Sequence, residues 1–272
     1  MHDAALVAVL RRDRAIVAAC LFALIISAWA YVWWLAADMQ MDGMDMARFR
    51  MIPSGGGLMM PVIAPWQPIE FVFVFIMWAV MMIGMMAPSI APLVLIYARV
   101  GRQATAQQKP FAATAWLASG YLLAWISFSV VATVAQWTIE REGLLTSAMA
   151  SSDNIFGGLT LIAVGLYQWT PLKNACLRQC QAPLQFIQRH GGFRGDVIGS
   201  LVLGASHGIY CVGCCWVLMA LLFVGGVMNV LWIAAIMVFV LIEKVVPTGR
   251  LISRVSGAVL LATGMWMIMS TA

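Results

Sequence analysis

Apolar residues run along the chain in seven long stretches, at 15–37, 70–88 (with an extension towards Tyr97), 111–137, 154–169, 197–223, 228–246 and 255–269. They are about 15–27 residues long and do not alternate, which fits a helix crossing about 30 Å of hydrocarbon and exceeds a barrel strand about twofold. In lipid every backbone amide must find its partner within its own element or a closed sheet. The pattern therefore predicts an all-α, polytopic transmembrane bundle of about seven helices, forming a single integral membrane domain over residues 1–272.

The polar connections set the orientation. With the N-terminus in the cytoplasm, one side carries Arg11, Arg12, Arg14, Arg99, Arg102, Lys109, Lys173, Arg178, Arg189, Arg194, Lys244, Arg250 and Arg254, thirteen of the sixteen basic residues. The other side carries Arg48, Arg50 and Arg141. The positive-inside rule then places the N-terminus in the cytoplasm and the C-terminus outside, in a multi-pass protein of the cell inner membrane. The first stretch has a basic start and a cleavage-like Ala28-Trp29-Ala30, but its apolar run continues through Ala37, so it reads as a retained signal-anchor. Two connections are long. Residues 38–69 contain Pro53, Ser54-Gly55-Gly56-Gly57, Pro61, Pro65 and Pro68 and read as an irregular outer loop. Residues 171–196 form a cytoplasmic, cysteine-containing loop.

Composition agrees with lipid as the solvent. The chain is 63% hydrophobic and 10% charged, where soluble domains carry about a quarter charged residues. The basic pI of 9.1 does not signal nucleic acid, because the basic residues are spread over several short loops. The six cysteines lack the density of a disulfide-stapled secreted domain. No P-loop, dinucleotide fingerprint or Ser-His-Asp set is present, so nothing points to an enzyme.

Candidate chemistry concentrates in the fifth stretch, which reads Gly204-Ala205-Ser206-His207-Gly208-Ile209-Tyr210-Cys211-Val212-Gly213-Cys214-Cys215-Trp216. At about 100° per residue His207, Cys211 and Cys214 fall within a ~60° arc, with Cys215 at its edge. Imidazole and thiolate together suit Cu(I), Zn or an iron centre. Gly204, Gly208 and Gly213 remove bulk and let another helix approach. Single buried cysteines usually only pack, but ionisable groups grouped at membrane depth are costly and usually functional.

A second group opens the inner loop at Thr170-Pro171-Leu172-Lys173-Asn174-Ala175-Cys176-Leu177-Arg178-Gln179-Cys180. Thr170 can cap a short helix, Pro171 suits its first position, and Pro183 ends it. Cys176 and Cys180 then lie one turn apart on one face. Counted from Val197 at about 1.5 Å per residue, His207 sits roughly 15 Å into the bilayer. Cys176 and Cys180 join its site only if their helix dips inward, so one site and two sites both stay open.

Two further features are weaker. The outer loop carries Met39, Met41, Met44 and Met46 among Asp38, Asp42 and Asp45, four thioethers able to capture Cu(I) without deprotonation. Met77, Met81, Met82, Met85 and Met86 spread over half a helix circumference and read as packing. Glu243-Lys244 before Pro247 reads as an interfacial anchor at a helix end, with a supporting or proton role for Glu243 as the alternative.

At these residues the chain resembles a family of predicted metal-binding integral membrane proteins of otherwise unknown function, some labelled copper chaperones. The resemblance is carried by Met77-Trp78-Ala79-Val80-Met81-Met82 with Pro88 and Pro92, by Gly120-Tyr121 with Trp125, and by Gly165 to Lys173 followed by Cys176 and Cys180. It continues through His207-Gly208, Cys211 to Trp216, Met228-Asn229 and Glu243-Lys244. It implies a helical membrane protein holding a metal, with copper foremost and another soft transition metal as the alternative. The outer methionines are a feature of this sequence that the resemblance does not supply. The reading is a Cu(I)-handling membrane protein whose partners are the bilayer, the metal ion and a periplasmic or membrane metalloprotein. Its rivals are a membrane thiol-disulfide oxidoreductase, cycling Cys211/Cys214 or Cys176/Cys180, and a non-catalytic membrane assembly subunit.

Overall fold

A computed structural model describes residues 2–41, 49–52, 58–61, 66–107, 114–146 and 149–270. The helices are α1 (His2–Met41), α2 (Pro68–Ala106), α3 (Thr114–Arg141), α4 (Asn154–Gln168), α5 (Pro171–Gln181), α6 (Pro183–Arg189), α7 (Val197–Met219), α8 (Leu222–Gly225), α9 (Val230–Val245) and α10 (Gly249–Met269). One short antiparallel pair, β1 (Phe49–Ile52) with β2 (Leu58–Pro61), interrupts the otherwise helical chain in the segment expected to be irregular.

Each of the seven apolar stretches forms a helix. Five are long and apolar enough to cross a membrane: Ala15–Ala37, Pro68–Ala104, Thr114–Arg141, Val197–Gly225 and Gly249–Met269. The pair α4 and α5, bent by 65° at its break, adds a sixth if counted as one span. At 16 residues α9 is about 24 Å long, short of a full crossing at 1.5 Å per residue. In the other direction α2 outruns the expected 70–88, continuing through Pro88 and Pro92 to Ala106. Hydroxyls support the backbone there: Ser89 Oγ and Tyr121 OH both donate to the Met86 carbonyl, at 2.7 and 3.0 Å.

Glycine seams bring the helices together. Between α3 and α7, a Cβ at Gly204 would strike the Leu117 carbonyl, and one at Gly120 would lie 2.8 Å from the Ala205 amide. Between α4 and α10 the pattern is reciprocal, with Gly158 against Gly264 and Gly165 against Gly257, each hypothetical Cβ within 2.9 Å of the facing carbonyl. Small residues matter here because apolar surroundings give helices little reason to associate beyond close packing. α1 runs unbroken through Ala28-Trp29-Ala30 and rests on α2, where Gly84 faces the Ala28 methyl.

The exterior is apolar and the interior holds the polar groups. Leu231, Met269, Ile198 and Trp266 are among the exposed side chains, whereas Gln136, Gln168, Lys173, Ser200, Glu243 and Lys244 are buried. The buried groups are paired, as where Trp78 Nε1 donates to Gln136 Oε1 at 2.7 Å and ties α2 to α3. Buried charges of this kind are rare in a water-solvated domain.

Candidate metal centre

Asp196 caps α7 by accepting the Gly199 amide at 2.6 Å, which starts the helix that carries His207, Cys211, Cys214 and Cys215. All four are buried. Two turn back on their own helix: the Cys214 and Cys215 thiols donate to the Cys211 carbonyl at 3.1 and 2.9 Å. The expected close approach at the glycines occurs. Gly208 meets Ala124 and Tyr121 of α3, and Gly213 makes room for the Cys176 sulfur.

Thr170 and Pro171 start α5 as their types predict, with Thr170 Oγ1 accepting the Lys173 amide at 3.2 Å. The 65° bend after α4 turns α5 inward against α7. Cys176 is buried and Cys180 half-buried, and Cys180 Sγ lies 4.0 Å from Cys214 Sγ. The two cysteine groups, 34 residues apart in sequence, thus meet across one helix interface. All six cysteines are free thiols, and Cys20 stands exposed on α1.

The short helix α5 is held by a buried ion pair. Lys173 Nζ, fully buried, lies 3.0 and 2.8 Å from the two Glu243 carboxylate oxygens and also donates to Gln168 Oε1. Ser253 Oγ donates to Glu243 Oε1 at 2.7 Å, and Gln181 Nε2 donates to the Glu243 carbonyl at 2.8 Å. The carboxylate therefore joins α5, α9 and α10, and Lys173 adds α4 through Gln168. The expected interfacial role of Glu243-Lys244 is overturned, since both are buried in the bundle, where Glu243 pairs with Lys173 and Lys244 lies against Cys211. The supporting role held in reserve for Glu243 fits its contacts.

Lys244 supplies what sequence reasoning missed. Its Nζ lies 2.8 Å from Cys211 Sγ, 3.4 Å from Ser89 Oγ, 3.8 Å from Met86 Sδ and 3.9 Å from Cys215 Sγ. Tyr121 OH approaches the same Cys211 Sγ at 3.1 Å and Ser89 Oγ at 3.0 Å. Met77, Met81, Met82 and Met85 are buried in the core as expected, but Met86 also borders this polar pocket. The one available hint was a tyrosine and a serine embedded in apolar stretches.

His207 lies between rings, 6.0 Å from Tyr121 and 4.9 Å from Phe186, centroid to centroid. Its Nδ1 is buried without a hydrogen-bond partner. An orphaned imidazole nitrogen is costly unless something fills its lone pair or takes its proton. The side chains of Met39 and Met41, at the end of α1, and the whole of Met44 and Met46 lie outside the described residues.

Among the described residues, no three His, Cys, Asp or Glu side chains stand together as a ready metal cage. What the site offers instead is pairwise: two thiols across a helix interface, and a thiol against an ammonium. Such a site can pass from one soft ligand to the next without a closed coordination shell holding the ion. A family profile described as PpoB2, copper chaperone, matches residues 75–267, a stretch containing His207 and every cysteine but Cys20. No curated protein and no solved structure matches the chain.

Proposed function

The chain belongs to the PpoB2 copper chaperone family, and from that premise we propose that it binds Cu(I) as cargo within the membrane and hands it to a metalloprotein. The observation that carries this is the Cys180–Cys214 pair, at 4.0 Å across α5 and α7. With metal–sulfur bonds of about 2.3 Å, two sulfurs flanking one ion stand up to about 4.6 Å apart, so the pair needs little adjustment. Cys176, Cys211, Cys215 and His207, carried by the same two helices, are the further soft donors of the proposed set. A chaperone must also release its cargo, and a site without a closed cage serves that need.

The membrane reading extends the coarse one. The seven apolar helices form one inner-membrane domain, with the N-terminus cytoplasmic and the short α9 packed on the bundle by its Ile233, Ile236, Val240, Glu243 and Lys244 face. Burial of Lys173 and Lys244 removes two charges from the inner side of the count, and the basic excess there survives. Placing a single cysteine at Ser54 should allow labelling of intact cells by an impermeant thiol reagent, while one at Gln107 should stay unlabelled. The reverse pattern would invert the topology and with it the entry and delivery sides. In this orientation Met39, Met41, Met44 and Met46 sit on the outer side, where neutral thioethers suit Cu(I) capture.

The direct test is metal analysis of protein purified anaerobically under reducing conditions and offered Cu(I). Cys214→Ser and Cys180→Ser should each weaken Cu(I) binding by more than about tenfold, since even outer partners of metal ligands carry ten- to hundredfold effects. Cys20→Ser should bind as wild type does. Equal copper in all three would remove the site from α5 and α7. The same 4.0 Å separation favours a second reading, a redox dithiol closing a Cys180–Cys214 disulfide. The cycle would then use this cross-helix pair rather than Cys211/Cys214 or Cys176/Cys180. Reversible oxidation of two thiols in a protein that takes up no copper would select that reading.

A further inference from the structure

Three sulfurs and one hydroxyl from α2 and α7 converge on one side chain of α9, with Tyr121 of α3 against the nearest sulfur. The Lys244 ammonium lies 2.8 Å from Cys211 Sγ, with Cys215 Sγ, Met86 Sδ and Ser89 Oγ all within 3.9 Å. The obvious carboxylate partner is next door and taken, because Glu243 is committed to Lys173 and Ser253. Neutral thiols and thioethers are weak acceptors, and a buried ammonium without a counter-charge is strongly disfavoured. Of the groups around it, the close Cys211 sulfur, also within 3.1 Å of Tyr121 OH, is the one placed to carry the counter-charge.

We propose that Lys244 is a place-holding cation, whose ammonium fills the sulfur-lined pocket of the metal-free protein, yields it to an arriving monovalent soft metal, and returns to drive release. The inference rests on the copper reading and names the device that regulates the same site. Its logic is charge conservation in a dry interior. Exchanging one ammonium for one Cu(I) leaves the pocket's charge unchanged, whereas a divalent ion would add one positive charge at depth. No electron moves and no covalent bond forms within the protein: the metal gains the Cys211 sulfur as the ammonium leaves it. Lys244 can make that movement. It is the penultimate residue of α9, which ends at Val245 before Pro247, and a lysine stem has four rotatable bonds to carry the charge towards the helix end.

The test is the rate at which loaded protein gives Cu(I) to an excess of a Cu(I) chelator. Lys244→Leu removes the returning cation without adding a metal ligand. At equal initial loading its release should be slower by about tenfold or more, the scale of one charge-assisted hydrogen bond. Release at the wild-type rate or faster would overturn the proposal, the latter showing that Lys244 only helps hold the metal. Should the variant fail to fold, the wild-type protein answers by itself. Amine labelling read by mass spectrometry should modify Lys244 more in the Cu(I)-loaded than in the metal-free protein, with Lys173, locked on Glu243, protected in both. Equal labelling of Lys244 in the two states overturns the proposal. Failure of the wild type to take up any Cu(I) would instead bring down the copper reading itself, and this inference with it.

Discussion

Glu243→Leu should cost the protein about 3–5 kcal/mol, because it leaves the buried Lys173 ammonium without a counter-charge. Lys173 is fully buried, and both Glu243 oxygens lie within 3.0 Å of its Nζ. The remaining partner, Gln168 Oε1, is neutral and cannot replace a carboxylate. The pair is not itself a large source of stability, since desolvation of two ions offsets most of their attraction. The consequence can be measured. The double variant Lys173→Met/Glu243→Leu should recover to within about 1 kcal/mol of wild type, or exceed it, when both charges give way to apolar groups of similar size. Thermal unfolding of the four proteins in one detergent decides the matter. A Glu243→Leu protein that melts with wild type would show that Lys173 finds another partner or water. A double variant no better than Glu243→Leu would show that the carboxylate acts through Ser253 instead.

This ion pair marks where sequence reasoning stopped. Glu243 and Lys244 stand at the end of an apolar stretch, and local pattern rules send such charges to an interface. What decides their burial is Lys173, 70 residues earlier, and Cys211, 33 residues earlier, and no periodicity reports such pairings. Local rules did succeed where the cause was local. Thr170 and Pro171 open α5 because a hydroxyl cap and a missing amide hydrogen suit that position on any chain. The soft face of α7 follows from helical spacing alone, and its burial was readable in Gly204, Gly208 and Gly213. Whether the cysteines of α5 belonged to the same site could not be read, because the answer is the 65° bend at Trp169 and Thr170. Met86 illustrates the same limit: its spacing is that of the packing methionines, and only its height against Lys244 separates it from them. α2 outruns its expected end because proline usually stops a helix, whereas this helix continues through Pro88 and Pro92.

The α3–α7 seam carries the other large effect. Gly204→Ala should lower stability by about 3 kcal/mol, the upper end for overpacking, because the added methyl meets backbone, not a side chain that can turn away. The Leu117 carbonyl occupies that space, and Leu117 Cα stands 3.1 Å from it. Only separation of α3 from α7 relieves the clash, and that separation also draws Tyr121 from Cys211, now 3.1 Å away. Gly213→Ala is the informative contrast. Its methyl meets chiefly the Cys176 sulfur, at 2.9 Å, which can rotate, so stability should fall by only about 1 kcal/mol. Cu(I) binding should nonetheless weaken, since that sulfur belongs to the proposed ligand set. Gly120 sits across the same seam from Leu201 and Ala205, so Gly120→Ala and Gly204→Ala should not add. Once one methyl has parted the helices, the second finds the gap already open, and the double variant should cost less than the sum by more than about 0.5 kcal/mol, the usual margin of additivity. Unfolding midpoints of the two single variants and the double, in one detergent, measure the coupling. Additive losses would mean that the two glycines act separately, and that the site on α7 does not depend on the seam closing as one unit.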